Sequence, residues 1–151
     1  MFEIESRNPD EISIITKSVT IRFNLAEETI DANLEVGKIV GPGEFEIGEA
    51  AIRGIAVGGE QTIYDVVIKN VHVGIVGGIE EPTALDELGM SDVLCTSSVR
   101  AVREIEPKMV IAMGNIDGMV TELKVPARTE KKLKVKSLES LPMSLEVVAL
   151  A

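Results

Sequence analysis

The chain has 151 residues, 45% of them hydrophobic, and its 25 Asp and Glu outnumber 15 Lys and Arg to leave a formal charge of −10. That length suits one domain with its own core, and so apolar a composition excludes a disordered polyelectrolyte. The negative surface argues against nucleic acid, which is bound by Lys and Arg displacing counterions, and against an anionic membrane surface.

In chain order, alternation comes first. Val19, Ile21, Phe23 and Leu25 share one face and Thr20, Arg22 and Asn24 the other, which predicts a half-buried strand. Residues 12–15 precede it across Thr16-Lys17-Ser18 as the other arm of a hairpin. Residues 26–31 read as an acidic connection and 34–40 as extended chain. Gly41-Pro42-Gly43 is a turn. Phe45 and Ile47 then alternate with Glu44 and Glu46 in a strand whose partner is 52–57. After a turn at Gly58-Gly59, residues 62–68 and 70–76 predict two antiparallel strands joined at Lys69-Asn70.

Helix is expected only past Gly77-Gly78. A short one is predicted over 82–88, opened by Pro82 and closed by Gly89. Residues 92–95 form a short strand. Ser97 or Ser98 then caps a helix with Val99, Val102 and Ile105 at helical spacing, which Pro107 stops. The apolar run 109–113 is a strand, and strand–helix–strand predicts a parallel pair with a right-handed crossover. Asn115-Ile116-Asp117-Gly118 reads as a turn. The tail holds strands at 133–135 and 145–150. Lys131, Lys132, Lys134 and Lys136 alternate with Leu133 and Val135 as the wet face of the former. No repeat or linker divides the chain, so a single domain over 1–151 is expected. The core must be aliphatic, because there is no Trp and only one Tyr, Tyr64.

Cys95 is the only cysteine, so neither an intrachain disulfide nor a multi-cysteine zinc site can form. There is no basic-then-apolar leader and no apolar run of the roughly 18–20 residues that span a bilayer. A cytoplasmic protein is the expectation.

The order of local phrases carries more. Gly41-Pro42-Gly43-Glu44-Phe45-Glu46-Ile47, Ile52-Arg53-Gly54-Ile55, Thr62-Ile63-Tyr64, Leu88-Gly89, Asp92-Val93-Leu94 and above all Ile105-Glu106-Pro107-Lys108-Met109-Val110-Ile111-Ala112-Met113 stand in sequence. Together with Leu133-Lys134-Val135 and Leu145-Glu146-Val147-Val148 they resemble metal-dependent hydrolases of the metallo-β-lactamase fold, in the branch related to ascorbate-phosphate lactonases. The resemblance covers about 41–150. It implies a strand-rich α/β fold, a reduced metallo-β-lactamase-like β-sandwich with few helices, in which two sheets pack face to face between helices. In that family a bound metal lowers the pKa of its water to make hydroxide.

The ligand positions that the resemblance implies are empty of ligands here. Residues 1–40 hold no histidine for the first cluster, the middle site falls on Ile75-Val76-Gly77-Gly78, and the final histidine position is Gly114. The resemblance therefore implies a shortened member without its metal ligands. Neither catalytic nor metal residues are assigned, and no cofactor is expected.

Other chemistry has to be weighed residue by residue. His72, the only histidine, lies on the strand face opposite Val71, Val73 and Ile75 and reads as a surface or hydrogen-bonded residue. A Cys95–His72 nucleophile and base lacks a third orienting group. Glu44, Glu46 and Glu49 carry oxygens that suit a hard cation but alternate as a solvated strand face. Thr96-Ser97-Ser98 stands where helix amides can hold an anion, with capping the plainer reading. The glycine pairs 58–59 and 77–78 lack phosphate-loop spacing.

Two functional expectations follow. One is a non-catalytic domain with a binding, self-association or structural role, expected as a homodimer because a shortened first half bares a sheet face or edge. The other is a divergent metal-dependent hydrolase whose metal site is relocated or shared across a dimer. A full-length relative is a further expected partner.

Overall fold

The computed structural model describes residues 1–27, 29–32, 39–40, 42–57, 61–77 and 85–150. Two sheets carry the chain. Strands Phe2–Asn8 (β1), Glu11–Ile15 (β2), Thr20–Asn24 (β3), Thr29–Asp31 (β4) and Ile39–Val40 (β5) open the first. Gly43–Ile47 (β6), Ala50–Val57 (β7), Gln61–Ile68 (β8), Val71–Val76 (β9), Val93–Thr96 (β10) and Met109–Ala112 (β11) build the second. Helix Val99–Ile105 (α1) joins β10 to β11, and helix Ile116–Leu123 (α2) follows. Ala127–Glu130 (β12) then returns to the second sheet, Lys132–Val135 (β13) crosses to the first, and Glu146–Leu150 (β14) ends in the second. The orders are β13-β1-β2-β3-β4-β5 and β12-β14-β11-β10-β9-β8-β7-β6.

The expected α/β sandwich, strand-rich with few helices, is what forms. The reason is visible in the alternation. Ile4, Ile12, Ile14, Ile21, Phe23 and Ile30 all turn inward from the six-stranded sheet. They meet Ile52, Tyr64, Val66, Val73, Ile75 and Ile111 of the eight-stranded one in a single core. Phe23 and Tyr64 bridge the two sheets with ring centroids 5.5 Å apart. A second core lies on the other face of the larger sheet. There α1 and α2 lay Ala101, Val102, Ile105 and Met119 over Leu94, Val110, Ala112 and Val147. Strands β9, β10, β11 and β14 are parallel, and the central pair β10 and β11 is buried on both faces, which is why these two read as apolar runs without alternation.

The turns follow from local chemistry. Lys69 and Asn70 both take positive φ, 51° and 68°, the geometry of a two-residue hairpin turn whose twist matches its strands. Gly48, at φ +57°, begins the β6–β7 turn. A Cβ there would lie 2.7 Å from Val19, so the glycine lets this turn settle on the β2–β3 turn of the other sheet. Ser98 caps α1 by accepting from the Ala101 amide, and Glu106 ends the helix in the left-handed region just before Pro107.

Four expectations change. β1 is a full strand that the reading of 12–25 as the opening element left out. Residues 29–31 pair with β3 instead of forming a connection. Asn115 to Gly118 is not a turn but the start of α2. The helix expected over 82–88 is a single 3₁₀ turn, Leu85–Leu88, among the described residues, and 82–84 lie outside them. The turn at 58–59 and residues 34–38 of the extended stretch 34–40 also lie outside. The implied flanking of both sheets by helices holds for one: among the described residues, both α-helices pack on the outer face of the eight-stranded sheet. No helix of the described residues is long and apolar enough to cross a membrane.

Candidate functional site

The outward face of the eight-stranded sheet changes character along its width. Beneath the helices it is apolar. Toward its β6 edge, register sets Glu44 beside Arg53 and Arg53 beside Asp65, and the following position on β9 is Gly74. One step along, Glu46, Ala51, Val67 and His72 form the neighbouring row. Period-two alternation thus delivers two carboxylates, a guanidinium, a buried aspartate and the only imidazole to one patch.

Within it, Asp65 is the hub. Its side chain is 11% exposed, with Oδ1 3.3 Å from His72 Nδ1 and Oδ2 3.9 Å from Arg53 Nη2. Arg53 reaches on to Glu87, pairing Nη1 with Oε2 at 3.4 Å and donating from Nη2 to the backbone oxygen at 3.0 Å. The His72 amide donates to Asp92 Oδ2 at 2.9 Å, and the Asp92 amide returns a bond to the His72 carbonyl at 2.8 Å. A buried carboxylate is costly unless it is paired, and these contacts supply the pairing. With Nδ1 facing Asp65, Nε2 is the ring nitrogen left for another partner. Beside this hub lies an open cleft of ≈ 450 Å³, floored by Ala51 and Val67 and walled by Glu44, Glu46, Arg53 and Asp65.

The patch can position a polar or charged group but has no visible nucleophile. The Ser91 hydroxyl is the nearest candidate. It fills the space over Gly74, 2.6 Å from where a Cβ would stand, and is buried without a hydrogen-bond partner, the imidazole included. Cys95 is further removed. It sits in the core between the sheets, while His72 is on the opposite face, so the two cannot act together. Burial pushes the Cys95 thiol up to about 12, which keeps it protonated and inert. Of the three glutamates named from the sequence, Glu44 and Glu46 stand on the cleft wall. Glu49 is in the β6–β7 turn, accepting from the Ser18 hydroxyl at 3.2 Å.

The position at which the resembled family keeps its metal is at the other end of the parallel strands. There β9, β10 and β11 end side by side at Val76, Thr96 and Ala112, followed by Gly77, Ser97 and Met113-Gly114. A cleft of ≈ 230 Å³ opens between residues 6–9 and Met113, Gly114 and Ile116. Among the described residues its lining offers hydroxyl, amide and guanidinium groups but no imidazole, thiolate or carboxylate, and that donor set does not fit zinc. Thr96 and Ser98 spend their hydroxyls on the turn itself, accepting from the Ser98 and Ala101 amides. Among the described residues no three His, Cys, Asp or Glu come together around one point.

Arg53, Asp65 and Asp92 were not singled out from the sequence. The one local signal was an aspartate interrupting the apolar run 62–68; its partners follow only from strand register.

No protein-family model and no curated protein matches this sequence. A solved structure does: a candidate Zn-dependent hydrolase of the metallo-β-lactamase superfamily from Thermotoga maritima, with TM-score 0.70 and 14% identity. The match covers 99% of this chain and 100% of that one, N-terminal strands included. So low an identity speaks for architecture and not for chemistry. The fold of this chain is metallo-β-lactamase-like.

Proposed function

We propose that this chain works as a binding domain on a metallo-β-lactamase-like frame, without metal-dependent hydrolysis. The observation that carries this reading is the donor set at the C-terminal ends of β9, β10 and β11. Among the described residues glycine, threonine, serine and methionine stand there, and a hydroxide-generating metal needs imidazole or carboxylate ligands. The outward cleft over β6–β8, with its fixed Arg53–Asp65–His72 cluster, is the surface proposed for binding. The phrases over 105–113 support descent from the lactonase-related branch, and the lone buried thiol suits a cytoplasmic setting.

Elemental analysis of tag-free protein purified without chelator tests this directly. No metal above background is expected, and no phosphodiester or lactone hydrolysis on adding zinc or manganese. Near-stoichiometric zinc that survives dialysis, with turnover, would overturn the reading and return attention to a relocated or shared metal site.

A further inference from the structure

The two lateral ends of the sandwich are built alike and charged oppositely. At one end the chain passes from β5 to β6, the free edges of the two sheets; at the other it passes from β12 to β13, again both free edges. The first crossing carries Glu44, Glu46 and Glu49, all exposed. The second carries Lys131, Lys132, Lys134 and Lys136, all exposed. Lys132 is engaged by Glu3 at 2.8 Å. Glu44, Glu46, Lys131, Lys134 and Lys136 have no ion pair among the described residues.

The edges also match in pattern. In β6, Glu44 and Glu46 point outward while Phe45 and Ile47 turn to the core. In β13, Lys132 and Lys134 point outward while Leu133 and Val135 are buried. We infer that copies of this chain associate head to tail, the basic β13 edge of one docking on the acidic β6 edge and cleft of the next. This deepens the binding reading above, on which it rests, by naming the partner as a second copy.

Charge decides the geometry. A two-fold contact through β6 sets glutamate against glutamate, and one through β13 sets lysine against lysine; like charges directly opposite are unfavourable. The mixed contact places lysine beside glutamate on the outer face and aliphatic side chains together on the inner one. Because the two patches sit at opposite ends, the contact is heterologous and extends into short chains instead of closing at two. The overall charge of −10 opposes any association, but screening over about 8 Å at physiological salt leaves local pairs dominant.

Sedimentation velocity at 150 mM salt over rising protein concentration reads this out. Wild type is expected to populate dimers and longer species progressively. The double variants E44K/E46K and K134E/K136E, each alone, are expected to associate roughly tenfold more weakly or not at all, since both ends then carry one sign. An equimolar mixture of the two restores association, because every contact again joins opposite charges. That restoration also shows that neither variant has merely unfolded. A wild type that stays monomeric, a species that stops at two copies, or a mixture that fails to recover would each overturn the proposal. Stoichiometric zinc alongside intact, charge-dependent association would instead overturn the binding-only reading and leave this contact standing.

Discussion

The two sheets deal with their outer faces in different ways. The eight-stranded sheet is apolar on the outside over β10, β11, β14 and the Val76 end of β9, and α1 and α2 cover it. The six-stranded sheet turns Glu3, Glu5, Ser13, Arg22, Asp31, Lys132 and Lys134 outward, and rows such as Lys132–Glu5–Ser13–Arg22–Asp31 run across it in register. Such a face is stable in water as it stands, because cross-strand opposite charges support it and its described strand residues add little apolar surface beyond the half-buried Ile15. The lesson concerns self-association. Dimerisation was expected on the ground that a shortened first half bares a sheet face, yet the described residues of this face form no apolar patch that needs cover. The free edges are where the proposed contact between copies falls.

The largest effect that separates the sheets should come from unroofing the covered one. Met119 is fully buried on α2 against the second core. Met119→Ala removes that packing and is expected to cost about 2–5 kcal/mol in urea unfolding. Glu5→Ala, on the polar face, should stay within about 0.5 kcal/mol of wild type. Equal losses would mean that the six-stranded sheet also depends on its outer surface.

Gly74→Val probes the border between the apolar and charged parts of the larger sheet. A Cβ at Gly74 would meet Ser91 Oγ at 2.6 Å and Leu94 Cδ1 at 3.0 Å, so a valine must displace the segment that roofs β9. A cost of about 1–3 kcal/mol is expected, with the His72 and Asp65 resonances shifted in an NMR spectrum. An unperturbed melt would show that the roof over Gly74 is loose.

How much of this could be read from the sequence depends on the range of the cause. The 12–25 hairpin, the Lys69-Asn70 turn, the Ser98 cap and the parallel β10–α1–β11 unit rest on interactions a few residues apart, and alternation or a single capping residue announces them. β1 carries the same signal, with Phe2 and Ile4 against Glu3 and Glu5, but its partners β2 and β13 come from two ends of the chain. α2 was hidden because Asn115 begins it at φ 48° without a capping bond, so the usual start signal is missing. His72 was rightly placed on the outward face. Its tie to Asp65, and that of Asp65 to Arg53, depend on register across β7, β8 and β9, which composition does not reveal. Nor does local reading show that the acidic and basic strands close opposite ends of the sandwich.

The smallest effect tests the ion pair on the polar face. Glu3 Oε2 is screened from water but not orphaned, since Lys132 Nζ lies 2.8 Å away. The hydrogen bond from Lys132 holds the Glu3 carboxyl below its ordinary 4.5, and Glu3 holds the Lys132 ammonium above its ordinary 10.5. A depressed carboxyl pKa stabilises the fold above the unfolded value and ceases to do so as pH falls through the folded one. A raised ammonium pKa stabilises below the unfolded value and is lost as pH rises past the folded one. The pair should therefore contribute on a plateau between these limits. Both groups are solvent-screened, so the contribution is small. The urea midpoint of wild type is expected to exceed that of Glu3→Gln slightly at pH 7, with the gap closing as pH drops below 4.5. A gap that persists undiminished at pH 2.5, where carboxyl and amide are both uncharged, would show that the difference does not come from the carboxylate charge, and the polar face would then owe nothing measurable to this ion pair.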